Sequence, residues 1–350
     1  MALALGGLLL TAGPAAAAHI ACGAAIAAST TLDSNVGPCT ADGLVVTVDG
    51  VTLDLNGKRV FGANGADDNA GIRLAGAGGT TVKNGTVEGF DAGVVIMGGS
   101  GNTVRGVIAQ DNVNDMLGGP CDLGDGIAIL DSNANTIAGN KALRNGPFSG
   151  ISVVGDADRN VIRDNVSSDN NVVGTGCGNA RQDEGIRIEG PGANDNRVEN
   201  NRVERNMLAG VGLHGFVCSG APANVTPPNT GTLITGNVVR ATAGTPIAAG
   251  INFLEQGPAG IVCPSYGNTV DKNSSTGNQG DGIFVAANSH DNVINRNVVD
   301  DNGLSGIFLN DAVFQNVFTN VGPTLLDLTS PDRPLCPGHR LPGHVRLGQR

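Results

Sequence analysis

A Gly followed by β-branched or other apolar residues returns along most of this chain: "GIRL" at 71, "GVVI" at 93, "GIAI" at 126, "GISV" at 150, "GIRI" at 185, "GVGL" at 210, "GINF" at 250, "GIFV" at 282 and "GIFL" at 306. Downstream of many of these comes N-x-[IV]-x-x-N, as "NTIAGN" at 135, "NVIRDN" at 160, "NRVENN" at 196, "NTVDKN" at 268 and "NVINRN" at 292. A third Asn follows five residues later, at Asn145, Asn170, Asn206, Asn278 and Asn302, with Asn112 in the same column. The shortest units run about two dozen residues, the size of one solenoid coil. Each holds three apolar segments too short for a helix and alternating with period two, so each segment is a strand. Stacked coils of three strands give three parallel sheets around one core, with neighbouring coils about 4.8 Å apart. The Asn columns then form ladders, each amide bonding its counterparts above and below and satisfying turn backbone. Gly serves the tight or left-handed turns.

The sequence resembles the right-handed parallel β-helix proteins of the pectin-lyase-like superfold, especially secreted bacterial chains with NosD-like repeats. The resemblance covers about residues 22 to 320, and "GLVVTVDGVTLDLNGKRVFG" at 43–62 is similar to the family's first coils. It implies an all-β, single-stranded right-handed parallel β-helix of about ten coils, three parallel sheets and Asn ladders in the turns. The segment 1–18, apolar and then rich in small residues, reads as a signal peptide. Residues 19–42 are expected to cap the core, 43–320 to form the β-helix, and the Pro-rich, basic 321–350 to be a disordered or aberrant tail. A secreted, periplasmic or cell-wall location follows, with no stable membrane insertion; a monomer is expected.

Composition narrows the partners. Gly accounts for 55 of 350 residues while Trp is absent and Tyr occurs once, so small strands rather than bulky packing build the core. The net charge of −11 argues against nucleic acid. It also works against bulk attraction of an acidic polymer, unless metal ions or local arginines intervene. None of the seven cysteines forms a CxxC pair, so they read as disulfides rather than a zinc ribbon. Cys218 and Cys263 share a turn column in adjacent coils and are the preferred pair; Cys22–Cys39, in the cap, is the second. The pairing of Cys121, Cys177 and Cys336 stays open.

Extra length gathers at two turns flanking the Gly-Ile sheet: 111–125, 170–184 and 242–249 before its strands, 215–231 and 255–267 after them. Long loops on both sides of a flat sheet make a groove, and rigid scaffolds carry function on such loops. With Ile186 and Ile188 inward, Arg187 and Glu189 point out, as do Gly212 and His214 in the next coil and Asn252 and Leu254 in the one after. Glu189 and His214 become lateral neighbours about 4.8 Å apart, with Arg187 about 6.7 Å along the strand from Glu189. Asp183 and Glu184 open the same strand, and Asp125 and Asp281 hold the equivalent position in other coils. Val95, Ala128 and Ser152 leave the rest of the floor bland.

Three readings stay open. In the first, an acidic polysaccharide is processed by β-elimination or C5 epimerisation. Arg187 would neutralise the uronate carboxylate and His214, oriented by Glu189, would act as base or acid. Tyr266 would donate a proton from the opposite side, unless its ring only packs its own loop. Asp125, Asp183, Glu184 and Asn252 would contact substrate. The second is glycoside hydrolysis by paired carboxylates; the third is a non-catalytic binding or structural solenoid with a surface ion-pair cluster. The chain lacks the Asp-Pro-His run of alginate epimerases, the paired Asp motifs and Gly-His-Gly of polygalacturonases, and the Trp-Ile-Asp-His segment of pectate lyases. No cofactor is required by the pattern. Calcium stays open because the Asp-rich loops offer oxygens, although no EF-hand spacing occurs. Copper is not expected, since the five His and four Met are scattered.

Overall fold

The computed structural model describes residues 19–63, 69–114, 123–172, 184–190, 192–214, 229–244, 248–254, 265–285, 289–309 and 317–319. Asp183, Cys218 and Cys263, like the segments 1–18 and 321–350, lie outside the described residues.

Each of the nine Gly-Ile segments lies in a strand, and with Ala24–Ile26 and Leu44–Val46 before them they form one sheet of eleven strands in sequence order, through Glu184–Glu189 and Ala209–His214 to Ile307–Leu309. Neighbours pair in parallel throughout this sheet. Such pairing needs a crossover after every strand. Here each crossover carries strands of its own, which build the other two faces. Thr81–Glu88 and Thr103–Gln110 run unbroken around the bend between those faces. In later coils the same path is two three-residue strands, such as Arg197–Glu199 and Arg202–Glu204. The segment 19–42 contributes a coil of its own: Ala24–Ile26, Thr30–Thr31 and Val36–Cys39 pair with strands of the following coil. A disulfide joins Cys22 to Cys39 across this first coil, with Cα atoms 5.4 Å apart.

The core is a stack of aliphatic columns. Ile72, Val94, Ile127, Ile151, Ile186, Val211, Ile251 and Ile283 follow one another in register and are all fully buried. Each such side chain contributes about 1.5–3 kcal/mol by leaving water.

The turns bury polar groups instead, and these are satisfied by repetition. In the longest ladder Asn140, Asn165, Asn201, Asn237, Asn273 and Asn297 each accept, at Oδ1, a backbone N–H from the preceding coil. Their Nδ2 groups donate back to carbonyls such as Val104 and Ile137. A left-handed residue precedes the ladder position: Asp164 (φ 56°), Asn200 (φ 53°) and Lys272 (φ 56°) in this ladder, Arg144 (φ 54°) and Arg205 (φ 53°) in another. That conformation costs about 1 kcal/mol or more for a residue with a Cβ, and the hydrogen-bonded Asn beside it offsets the cost. Thr232 and Thr242 stand where two of the three ladders would have Asn, and their hydroxyls lack partners among the described residues.

The strand-opening Gly has a different cause from the turn conformations expected of it. A Cβ on Gly93 would lie 2.4 Å from the carbonyl oxygen of Gly126, and one on Gly185 would lie 2.6 Å from that of Gly210. Close approach of successive coils, not backbone conformation, excludes a side chain there.

Candidate functional site

The outer face of the eleven-stranded sheet is a set of columns running along the solenoid axis. One column reads Val95, Ala128, Ser152, Arg187, Gly212, Asn252, Phe284, Phe308 in strict register. A second places Val154, Glu189, His214 and Leu254 side by side. Glu189 and His214 are thus direct lateral partners, with Arg187 two residues along the strand from Glu189.

Glu184 reaches the same face by a break in alternation. A Cβ on Gly185 would meet the core side chain Val203 at 2.2 Å, so Gly185 faces inward although Ile186 also does. The strand therefore slips by one at its start, and Glu184 turns outward with Arg187 and Glu189. Strict period two puts Glu184 inside with Ile186 and hides this.

The cluster that results is closed rather than open. Arg187 is 6% exposed, Glu189 7%, Asp125 2%, and Glu184 and His214 0%. Arg187 Nη1 lies 3.0 Å from Glu189 Oε2, and Nη2 lies 3.8 Å from Asp125 Oδ1. The guanidinium also sits 5.2 Å from the centroid of the Phe148 ring, a cation–π distance. His214 Nε2 and Glu184 Oε1 are in close contact, without the alignment of a hydrogen bond. The partner of His214 is therefore Glu184, whereas Glu189, expected to orient it, faces Arg187. Nδ1 of His214 is buried with no hydrogen-bond partner among the described residues.

Burial sets the electrostatics. Loss of water pushes the Asp125 carboxyl up to about 6, against the pull of Arg187 and Ser152 and with a smaller push from Glu189. Burial works against the charge of Arg187 too, but Asp125, Glu189 and Glu184 raise its pKa above the ordinary value. Three carboxylates thus surround one guanidinium and one imidazole in a site of low dielectric, where charges act strongly.

The remaining expected residues divide. Asn252 is on the floor beside Gly212, buried, with its Oδ1 unpartnered among the described residues. Asp281 lies four strands beyond Ser149, and its Oδ1 accepts the backbone N–H of Ser305 at 3.0 Å. Tyr266 is on the turn after the sheet, its ring stacked on His290 at 4.9 Å and 3°. It continues a fourth, mixed ladder in which Asn133, Asp158 and Asn194 accept backbone N–H groups from successive coils. No hydrogen bond or ion pair joins Tyr266 to Arg187, Glu189 or His214 among the described residues. Leu123 packs on Ala70, Ala92, Val95 and Ala128, so part of the bland floor is an apolar patch under cover.

Chemically, the arrangement offers a cation for a carboxylate, an imidazole whose two nitrogens make no hydrogen bond among the described residues, and a carboxyl pushed up to about 6. Among the described residues no group of three or more His, Cys, Asp or Glu is gathered as a metal ion would need.

A family model described as a right-handed β-helix region matches residues 43–239 and again 218–330. The periplasmic alginate epimerase AlgG, as a double mutant, is similar with a TM-score of 0.50 at 12% identity, over 79% of this chain and 69% of its own. The Dettilon tailspike protein gp208 is similar with a TM-score of 0.51 at 14% identity, over 79% of this chain and 62% of its own. At these identities the likeness is one of fold. A comparison with curated protein sequences found no match. With a family model covering most of its length and eleven parallel coils in register, the chain belongs to the right-handed parallel β-helix family.

Proposed function

We propose that this chain is an exported protein that binds an acidic polysaccharide over the Gly-Ile sheet and removes the C5 proton of a uronate residue, leading to elimination or epimerisation. The observation that carries the reading is the buried pairing of a cation with an imidazole on one outer face: Arg187 and His214 stand in adjacent strands, and His214 keeps Nδ1 without a partner. A C5 proton becomes acidic enough to remove only when the adjacent carboxylate is neutralised. Arg187 supplies that charge, and the 3.8 Å contact with Asp125 is the looser of its two ion pairs and the one a substrate carboxylate would displace. Nδ1 of His214 then takes the proton. In elimination the electron pair left at C5 forms the double bond as the C4–O bond breaks; in epimerisation a proton returns from the other face. An alginate epimerase among the similar folds is in keeping with this chemistry.

A second reading has its own support. The Asp125 carboxyl, raised to about 6, is the kind of group that protonates a leaving oxygen in glycoside hydrolysis.

One panel separates these. Pectate, alginate, hyaluronan and chondroitin are incubated with the protein, with and without calcium. Absorbance from unsaturated uronates or inverted C5 centres by NMR is the expected result. New reducing ends without that absorbance would favour hydrolysis, and no product from any polymer would leave a binding solenoid. If turnover is found, Arg187→Ala and His214→Ala are expected to lower it at least about a hundredfold; full activity in both would discard the site.

A further inference from the structure

The geometry around His214 carries one step more. Glu184 and His214 come from adjacent strands and are both fully buried, and their contact is made over the backbone of Gly212. A Cβ on Gly212 would lie 2.7 Å from His214 Nε2 and 2.8 Å from Glu184 Oε1. The missing side chain is thus the space in which the two groups meet. His214 is also fixed from behind. Its carbonyl accepts Nδ2 of Asn229 at 2.7 Å and the Gly190 N–H at 3.0 Å, and the same Asn229 Nδ2 reaches the Ile188 carbonyl at 2.9 Å. On the other side, the second oxygen of Glu184 lies 3.5 Å from Ser149 Oγ.

We infer that Glu184 is a positioning residue that holds neutral His214 with its proton on Nε2, so that Nδ1 is the reactive atom and works as a base, with Gly212 keeping the contact open. An unprotonated, electron-rich Nε2 would stand at contact distance from a carboxylate oxygen, with both groups fully buried and little to screen them. The proton of the neutral ring therefore resides on Nε2. The lone pair is left on Nδ1, which is buried and, like Nε2, makes no hydrogen bond among the described residues, whereas the contact with Glu184 is made by Nε2. Once Nδ1 has taken a proton, the imidazolium faces the Glu184 carboxylate and is stabilised by it. A resting ring of this kind accepts a proton before it gives one. This favours substrates with an acidic C–H, such as uronates, over neutral glycosides that need protonation first. The kinetic part of this inference rests on the proposed function; the tautomer does not.

The test uses the full chain labelled with 15N-histidine. The five histidines are distinguished by the signals that vanish in His214→Gln. For neutral His214 the expected pattern is a protonated Nε2 and an unprotonated Nδ1. Gly212→Ala wedges the pair apart with Glu184 intact, and Glu184→Ala removes the carboxylate; both are expected to populate the two tautomers together. A wild-type ring protonated at Nδ1, or a wild-type pattern surviving in either folded variant, overturns the inference. With an active polymer, Gly212→Ala is expected to lower kcat at least about tenfold with KM within about twofold; a change in KM alone overturns the positioning role. A wild-type Nε2–H pattern with no polymer turned over would instead sink the proposed function and leave the tautomer standing.

Discussion

The Asn ladders and the Arg187 cluster are both polar, both buried, and lie a few residues apart in the same coils, yet they are built on opposite rules. In the ladder, Asn165 Oδ1 accepts from the N–H and the amide of Asn140 at 2.9 and 3.0 Å, while its Nδ2 donates to the Ile137 carbonyl and to Asn201. Each polar atom of such an Asn is answered by the coil before it or the coil after it. On the outer face, His214 Nδ1 and Asn252 Oδ1 are buried without hydrogen-bond partners among the described residues, and carboxylates outnumber the guanidinium beside them. A buried polar group with no partner costs about 1–3 kcal/mol. Repetition can satisfy a group only where each coil offers the same one. The ladders do so, and the cluster, drawn from four unlike coils, does not. Stability is concentrated in the first region, and readiness to bind something else in the second.

That contrast breaks first at the ladder. Asn165→Ala removes an acceptor and a donor from the middle of the longest column, and is expected to cost about 4 kcal/mol, read as a lower midpoint in urea. A loss under about 1 kcal/mol would mean that the ladders are ornament.

At the cluster the sign reverses. Asp125 has a folded pKa near 6, above its ordinary 3.8, so the stability it contributes is complete below the ordinary carboxylate range and is lost as pH rises through about 6. Relative to wild type, Asp125→Asn is therefore expected to gain about 3 kcal/mol between pH 3.5 and 7.5. Unfolding curves of both proteins across that range give the difference, and parallel pH profiles would contradict the burial cost assigned here. The smallest effect fills the gaps in the ladders. Thr232→Asn and Thr242→Asn are each expected to add about 1 kcal/mol by supplying acceptors to the coil above, seen as additive rises in Tm. No gain from either would show that the local backbone does not admit the rung.

Much of the molecule could be read from spacing alone, because a solenoid writes its contacts as a period. The Gly-Ile strands, the Asn columns and the lateral pairing of Glu189 with His214 all follow from counting residues between repeats. Glu184 was expected among the substrate contacts, but its partnership with His214 did not follow from alternation, because the outward turn at 184 comes from a one-residue slip at Gly185, where close packing on Val203 overrides period two. Nor did the enclosure of the cluster, since period two tells which way a side chain points but not what lies above it. The signal that was available is Gly212: a Gly inside a strand, between Val211 and Leu213, marks a place where something approaches closely.

The two Thr rungs carry a mechanical consequence. A solenoid is close to a one-dimensional array, whose cohesion is the sum of the seams between neighbouring coils. Between the coil of Asn196, Asn201 and Asn206 and the coil of Thr232, Asn237 and Thr242, two of the three Asn ladders lose their side-chain rung and Asn201–Asn237 alone of them spans the joint. Under tension or heat that joint is expected to part before its neighbours with three full rungs, such as the one between Asn160, Asn165 and Asn170 and Asn196, Asn201 and Asn206. The same joint separates Glu184 from His214, so a seam short of two rungs runs between two groups whose contact depends on their coils being held at a fixed distance.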